Sequence, residues 1–290
     1  MTTVAILGAN GVYARHLIPR LVRAGHRVVA LARRPEAAAV ARACGAEVRR
    51  ADIFDRASLV AALDGAQIGI NLATSLPGPS GRGDFAANDH LRIAGTRHWV
   101  SACREAKVGR IVQQSIGLVN ASTTDAWTDE DHAHPGPIDP PVAAEAIAAC
   151  RIMEGEVLGS GLPAMILRGG LFYGPGTGFD DGWFAAAATG RLRTPGDGAG
   201  HVSLVHIADM AEATLRAVER FEADARLIVC DDEPVRWRDL FAYIAALAGQ
   251  EDLPAGGRAG FPSFRLRNGR ARERLGWAPL YTSYREGLVR

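Results

Sequence analysis

The stretch Val4-Ala5-Ile6-Leu7-Gly8-Ala9-Asn10-Gly11-Val12-Tyr13-Ala14 decides how the rest of the chain is read. Its apolar run stops at a glycine, and a short unbroken apolar run bounded by glycine predicts a strand buried on both faces. The amphipathic residues from about Val12 to Ala24 predict a helix directly behind it. Gly8 permits the tight turn, Gly11 lets a ligand approach the backbone, and Ala14 lets the helix pack closely on the strand. The first N–H groups of that helix then face whatever sits on the turn, so G-x-x-G-x-x-A in this context predicts a dinucleotide pyrophosphate there. Gly8, Asn10, Gly11, Val12 and Tyr13 are the candidate contacts.

Outward from this turn the pattern repeats. Arg27–Leu31, Glu47–Arg49, Ile68–Leu72, Arg110–Gln114 and Ala164–Leu167 read as further strands. Helical stretches fall over Glu36–Cys44, Ala57–Leu63, Asn88–Ala106 and Val142–Leu158. Apolar strands joined by helices mean parallel pairing with right-handed crossovers, hence an α/β doubly wound parallel sheet of Rossmann type. Residues 1–173 read as a dinucleotide-binding core. Residues 174–290 read mainly as a small C-terminal substrate lobe, with the chain crossing back to the core near 201–230. Two Gly-, Pro- and Asp-rich loops, Thr74–Ala87 and Asn120–Pro141, follow strand C-termini, the edge of an open sheet where ligands bind.

Composition narrows the function classes. The chain has 290 residues, 48% hydrophobic, with 33 basic against 32 acidic residues. That balance argues against a nucleic-acid or membrane-surface partner, and no apolar stretch approaches the roughly 18 residues of a membrane span. The sequence shows no signal peptide before the first strand, and the four cysteines (44, 103, 150, 230) show no metal or disulfide spacing. A reducing cytoplasm, buried thiols and no bound metal are the expectations. Only one basic residue, Lys107, is a lysine.

The end of the second strand indicates which dinucleotide. A reader of the ribose 2′-hydroxyl carries Asp or Glu there; this chain has Ala32 followed by Arg33 and Arg34, whose guanidinium groups suit a 2′-phosphate. NADPH/NADP+ is the expected cofactor. Asp52 and Ile53 are placed to flank the adenine, and Leu72, Ala73 and Thr74 to line the adenosine side of the trough, although turn chemistry and strand-end packing explain the same residues.

With these residues in place, the chain resembles the short-chain dehydrogenase/reductase superfamily in its extended or atypical branch. GANGVYA (8–14), RRADIFDRASLVAALDGA (49–66), INLAT (70–74), GRIVQQSIGLV (109–119), SGLPAMILRGGLFYGPG (160–176), LVHIADMAEA (204–213) and LGWAP (275–279) occur in that family's order, end to end. The resemblance implies an Asn, Ser, Tyr, Lys catalytic set, the Tyr serving as acid or base with a Lys four residues on. Ser115 matches the Ser. The Tyr and Lys positions, counted back from Ser160-Gly161-Leu162-Pro163, fall on Ala146 and Cys150, and the Asn position falls on Arg92. No other register restores the pair: Cys103 precedes Lys107 by four residues, and no tyrosine lies between Trp127 and Tyr173. The resemblance further places Gln113 and Gln114 at the nicotinamide face and Gly169, Gly170, Leu171 and Phe172 against its carboxamide, with Gly169 where the family carries Pro. Tyr173, His206 and Asp209 read as structural, Asp209 as a helix cap.

The expectation is therefore an NADPH-dependent ketoreductase that lacks its built-in proton donor. Ser115 is expected to orient or stabilise the substrate oxyanion, with His132 or His134 of the second loop as a swinging acid. In the leading reading the proton comes from a phenol beside the substrate ketone, as in an aromatic polyketide. That reading is similar to atypical family members that reduce angucyclinones. The long loops, with Phe85 and Trp127, would cover such a substrate. Two other readings stay open: a non-catalytic NADP(H) sensor resembling nitrogen-metabolite-repression regulators, and a nucleotide-sugar-type epimerase or dehydratase. The oligomeric state is not legible.

Overall fold

The computed structural model describes residues 1–77, 83–132, 138–250, 253–258 and 260–288. Its main sheet is built from β1 (Thr3–Leu7), β2 (Arg27–Ala32), β3 (Glu47–Arg50), β4 (Ile68–Asn71), β5 (Arg110–Ile116), β7 (Ala164–Gly169) and β11 (Arg226–Val229). The short strands are β6 (Trp127–Thr128), β8 (Leu171–Tyr173), β9 (His201–Val202), β10 (Leu204–His206), β12 (Val235–Arg236) and β13 (Arg265–Leu266). The helices of the first half are α1 (Val12–Arg23), α2 (Ala39–Ala43), α3 (Arg56–Ala62), α4 (Phe85–His90), α5 (Thr96–Glu105) and α6 (Pro141–Leu158). Those of the second half are α7 (Phe179–Ala188), α8 (Ile207–Glu219), α9 (Trp237–Leu247), α10 (Gly269–Leu275) and α11 (Tyr284–Gly287).

The main sheet runs β11-β7-β5-β4-β1-β2-β3, every neighbour parallel. This is the doubly wound order with a seventh strand added beyond β7. The winding reverses between β1 and β4, so the ligand crevice opens at their C-terminal ends. One face packs Ile6, Val28, Ile70, Val112 and Leu167 under α1 and α8, and the other packs Ala5, Val29, Ile111 and Ile166 under α3 and α5. A third apolar cluster joins Tyr173, Phe184, Leu204, Ile228, Trp237, Phe264 and Tyr284. The chain after Gly174 is thus divided. Residues 207–229 give α8 and β11 to the core, while α7 and α9 pack on one another in the lobe.

Three expectations change in detail. The helix expected over Asn88–Ala106 starts at Phe85 and contains a π-helical turn, Leu91–Gly95, between α4 and α5. Gly95, the last residue of that turn, packs against Ile53: a Cβ there would lie 2.7 Å from Ile53 Cδ1. The helix expected at Glu36 opens as a 3-10 turn, Pro35–Ala38. The loop Asn120–Pro141 holds β6, which pairs with β13 from the C-terminal region. Among the described residues no helix is long and apolar enough to cross a membrane, and no group of His, Cys, Asp and Glu side chains is arranged to hold a metal ion.

Candidate active site

The phosphate turn sits at the sheet's switch point. Gly8 has φ +81°, and a Cβ there would lie 2.8 Å from the backbone nitrogen of Ala73, so Ala73 at the end of β4 closes one wall of the cradle. Gly11 donates its N–H to Gly8 O at 3.0 Å and is the N-cap of α1, where no side chain caps and no acid occupies the first turn. The first N–H groups of a 12-residue helix are therefore left to a ligand, with the dipole favouring an anion. Asn10 is exposed and Val12 half-buried beside them. This cradle fits a dinucleotide pyrophosphate. Tyr13 has only its backbone to offer such a ligand, because its ring is buried between α1 and α8 with its hydroxyl against Thr214.

Arg33 and Arg34 follow β2 and are both exposed. No carboxylate within ion-pair distance holds either among the described residues, which leaves both guanidinium groups available to a 2′-phosphate. Asp52 accepts the Phe54 N–H at 3.0 Å, and Ile53 is buried against the π turn. Leu72 is a core residue, Ala73 donates its N–H to Asn71 Oδ1 at 3.1 Å, and Thr74 is exposed. Along β5, Gln113 spends its side chain inside the protein: Oε1 accepts from Asn71 Nδ2 at 3.0 Å and Nε2 donates to the Gln114 carbonyl at 2.8 Å. Gln114 is half-buried. Gly169 has glycine for a steric reason, since a Cβ would lie 2.5 Å from the Phe172 ring. At Gly170 a Cβ would lie 2.7 Å from Ser203 O. Leu171 and Phe172 form β8, with Phe172 edge-on to Tyr13 at 5.4 Å.

Ser115 ends a buried polar chain. Its hydroxyl donates to Glu154 Oε1 at 2.6 Å. Glu154 is gripped by Arg168, whose Nε and Nη2 reach its two oxygens at 2.9 and 2.6 Å. Arg168 Nη1 donates to Asn120 Oδ1 at 2.9 Å, and Asn120 Nδ2 to the Asp129 carbonyl at 2.8 Å. A carboxylate in a bidentate guanidinium pair is ionised and can only accept. The single hydroxyl proton of Ser115 is therefore committed, and Oγ meets a ligand as an acceptor. The expectation that Ser115 orients the substrate or stabilises its oxyanion is narrowed on this ground to an oxygen that accepts. Glu154, Arg168 and Asn120 were not singled out from sequence as partners of Ser115. The available signal was Arg168 itself, a charge closing an apolar strand that must be buried on both faces.

At the family's acid/base positions Ala146 is half-buried and Cys150 fully buried, its thiol pushed up to about 11 by burial. Arg92 lies in the π turn, buried, with Nη1 bonded to Asp89 Oδ1 at 3.1 Å. Its positive charge acts on Cys150 against the burial. His132 touches this network only through its backbone, its N–H donating to the same Asp129 carbonyl at 3.2 Å, and its ring makes no hydrogen bond to it; His134 lies outside the described residues. Trp127 is exposed but flanked by the guanidinium groups of Arg265 and Arg267 at 4.8 and 5.1 Å. Phe85 is also exposed. Tyr173 donates to the Ser283 carbonyl. His206, not Asp209, caps α8, accepting the Ala208 N–H at 3.3 Å. Asp209 instead accepts the N–H groups of Leu280 and Tyr281.

Residues 4–229 match the model of the family described as the NAD dependent epimerase/dehydratase family. A Streptomyces protein, 3-diazoavenalumate denitrifying reductase, is 34% identical over 99% of this chain and 99% of its own. A Stigmatella aurantiaca protein, 4-hydroxy-2-methyl-3-oxo-4-farnesyl-3,4-dihydroquinoline-1-oxide ketoreductase, is 27% identical over 84% of this chain and 72% of its own. Among solved structures, the UDP-glucose 4-epimerase of Thermotoga maritima superposes with a TM-score of 0.80 at 19% identity, covering 99% of this chain and 96% of that one. With its dinucleotide cradle and its full-length reductase relative, this chain belongs to the NAD dependent epimerase/dehydratase family and is an NAD(P)-dependent oxidoreductase.

Proposed function

We propose that this chain is an NADPH-dependent reductase of an aromatic acceptor that needs no proton from the protein. The observation that carries this is the emptied acid/base set: Ala146 and Cys150 stand at the family's Tyr and Lys positions, and the proton of Ser115 is held by Glu154. Bound NADPH supplies hydride at its nicotinamide ring. Gly8, Gly11 and the start of α1 hold the pyrophosphate, and Arg33 and Arg34 receive the 2′-phosphate. Gly169, Gly170, Leu171 and Phe172 shape the nicotinamide end, and the Ser115 oxygen accepts from a ligand donor. General acid catalysis contributes about 10²–10⁴-fold to proton-coupled reductions, so its loss favours acceptors that do without it.

Reductive loss of a diazo group is such a reaction. The hydride electron pair forms the new C–H bond, the C–N pair leaves with N₂, and the balance requires no proton. The 34% identical relative favours this reading by name. A ketone beside a phenol is the second reading, favoured by the ketoreductase relative; hydride adds to carbon and the phenol proton moves to the new alkoxide.

The test follows the fall of the reduced-cofactor absorbance with NADPH and two probes, 2-hydroxybenzenediazonium and 2′-hydroxyacetophenone. Consumption with either, slower for the O-methyl ether of the ketone than for its phenol, is the expected result. Tight NADPH binding without turnover on either would overturn the proposal in favour of a cofactor-sensing regulator.

A further inference from the structure

Two arginines are buried against α6, the helix whose Glu154 accepts from Ser115, and they differ in one respect. Arg168 has all three of its nitrogens engaged, two on Glu154 and one on Asn120. Arg92 is buried as deeply, yet its guanidinium makes one bond, Nη1 to Asp89 Oδ1 at 3.1 Å. The rest of its five N–H donors have no protein partner among the described residues. Arg92 Nε and Nη2 are not sealed from solvent although the residue is buried, so they stay open to a ligand that reaches this turn.

The local fold holds Arg92 in place. It sits on the π-helical turn Leu91–Gly95, and π turns inside α-helices recur at functional sites. The Ile53 side chain packs directly on Gly95, and the turn packs on α6. The helix on which this turn packs, α6, carries Cys150 and the Glu154 that accepts from Ser115, and the charge of Arg92 acts on Cys150. A buried cation thus sits on the turn that packs against the helix from which the family's lysine is missing.

The proposed reactions place negative charge where such a cation acts. Adding hydride to a ketone leaves an alkoxide; adding it to a quinone-like diazo-phenol, with loss of N₂, leaves a phenolate. In both, the charge that arrives with the hydride ends on an oxygen conjugated or bonded to the reacting carbon. We infer that Arg92 is the oxyanion-binding residue of this site, its free N–H groups receiving that oxygen, and that the acceptor is therefore an aromatic bearing a phenolate or ketone oxygen. This rests on the reductase reading above. An arginine suits the role because its fork is planar, always charged, and a source of charge-assisted hydrogen bonds that strengthen as the oxygen becomes anionic.

The test measures binding without turnover. The full chain loaded with NADP+ is titrated with 4-nitrophenolate, at a pH where the phenol is ionised, and with its neutral isostere 4-nitroanisole. The wild type is expected to bind the phenolate at least about tenfold more tightly and to shift its absorbance band, since a charge-assisted hydrogen bond contributes that much. Arg92→Met should abolish the preference and the shift, Arg92→Lys should restore part of both, and NADP+ affinity should be the same in all three. Arg92→Met with Asp89→Asn removes both charges of the ion pair and carries the test if the single variant does not fold. A wild type without the preference, or a methionine variant that keeps it, overturns the inference. Because no hydride moves, the outcome is separate from NADPH consumption: an Arg92-dependent phenolate site in a chain that reduces neither probe would sink the reductase reading alone.

Discussion

At the scale of single residues, the site reads as a reassigned one. Ser115 keeps its position in the register, but its hydroxyl donates to Glu154, so Oγ meets the ligand as an acceptor. Ser115→Ala should therefore lower turnover by about tenfold or less, the worth of one neutral hydrogen bond, in steady-state assays with NADPH. A loss to background would mean that Ser115 moves the proton itself. Glu154→Ala should act on stability first, because it strands Arg168 in the interior. Breaking a buried pair costs about 3–5 kcal/mol, which a shift in urea midpoint at unchanged slope would record. Arg33 and Arg34 make a separate prediction. Replacing both by alanine should weaken NADPH binding by about tenfold or more while leaving NADH within about twofold, measured by calorimetry, since only NADPH carries the 2′-phosphate. The missing Tyr and Lys were legible because absence of a residue type needs no structure. The Ser115–Glu154–Arg168–Asn120 chain was not, because its members are 39 and 48 positions apart and each alone resembles an ordinary helix or strand charge.

Among the elements, the ones the sequence announces are those whose reason is local. β1, the Gly8–Gly11 turn and α1 are announced by a buried apolar run, a left-handed glycine and a helix start without an acid. The π turn was hidden: Leu91–Gly95 has ordinary helical composition, and its packing on Ile53, in the turn 42 positions earlier, shows only in three dimensions. The two-residue strands β6, β9, β12 and β13 were hidden too, since each exists only through a partner distant in the chain. The phosphate turn carries the prediction at this scale. Gly8→Ala adds a Cβ at φ +81°, within 2.8 Å of the Ala73 backbone, where neither side can yield as a flexible side chain would. The left-handed strain alone is of order 1–3 kcal/mol. Melting temperature should fall, and NADPH affinity should fall further than stability accounts for, because the wall between β1 and β4 must open. A variant that bound NADPH as tightly as wild type would remove Gly8 from the cradle.

Across the whole molecule, one junction ties the lobe's last segment to the core. His206 caps α8 through Nδ1, its ring lies 3.9 Å from that of Tyr281, and Asp209 one turn on accepts the N–H groups of Leu280 and Tyr281. Trp277 Nε1 donates to the Asp209 carbonyl, so the LGWAP segment is fastened to the same turn that starts α8. Burial, with the charges of His16 and Arg20, pushes His206 down to about 4. The imidazole caps only while Nδ1 is unprotonated, and protonation would also put an unpaired charge in the interior. Between its ordinary value of 6.5 and about 4, the unfolded chain therefore binds a proton that the native chain does not. Stability contributed by this group is complete above pH 6.5 and is lost as the pH falls through that window. Asp209 works in the opposite sense, because burial raises its carboxyl. The comparison that isolates the histidine is His206→Asn, since asparagine still offers an oxygen to the Ala208 N–H but does not titrate. Relative to that variant, wild type should lose up to about 1.4 kcal/mol per pH unit between pH 6.5 and 4, read from denaturant unfolding at fixed ionic strength. Parallel pH profiles for the two proteins would mean that His206 is as free to protonate in the fold as out of it. The junction would then hold by packing alone, with its pH response coming from Asp209.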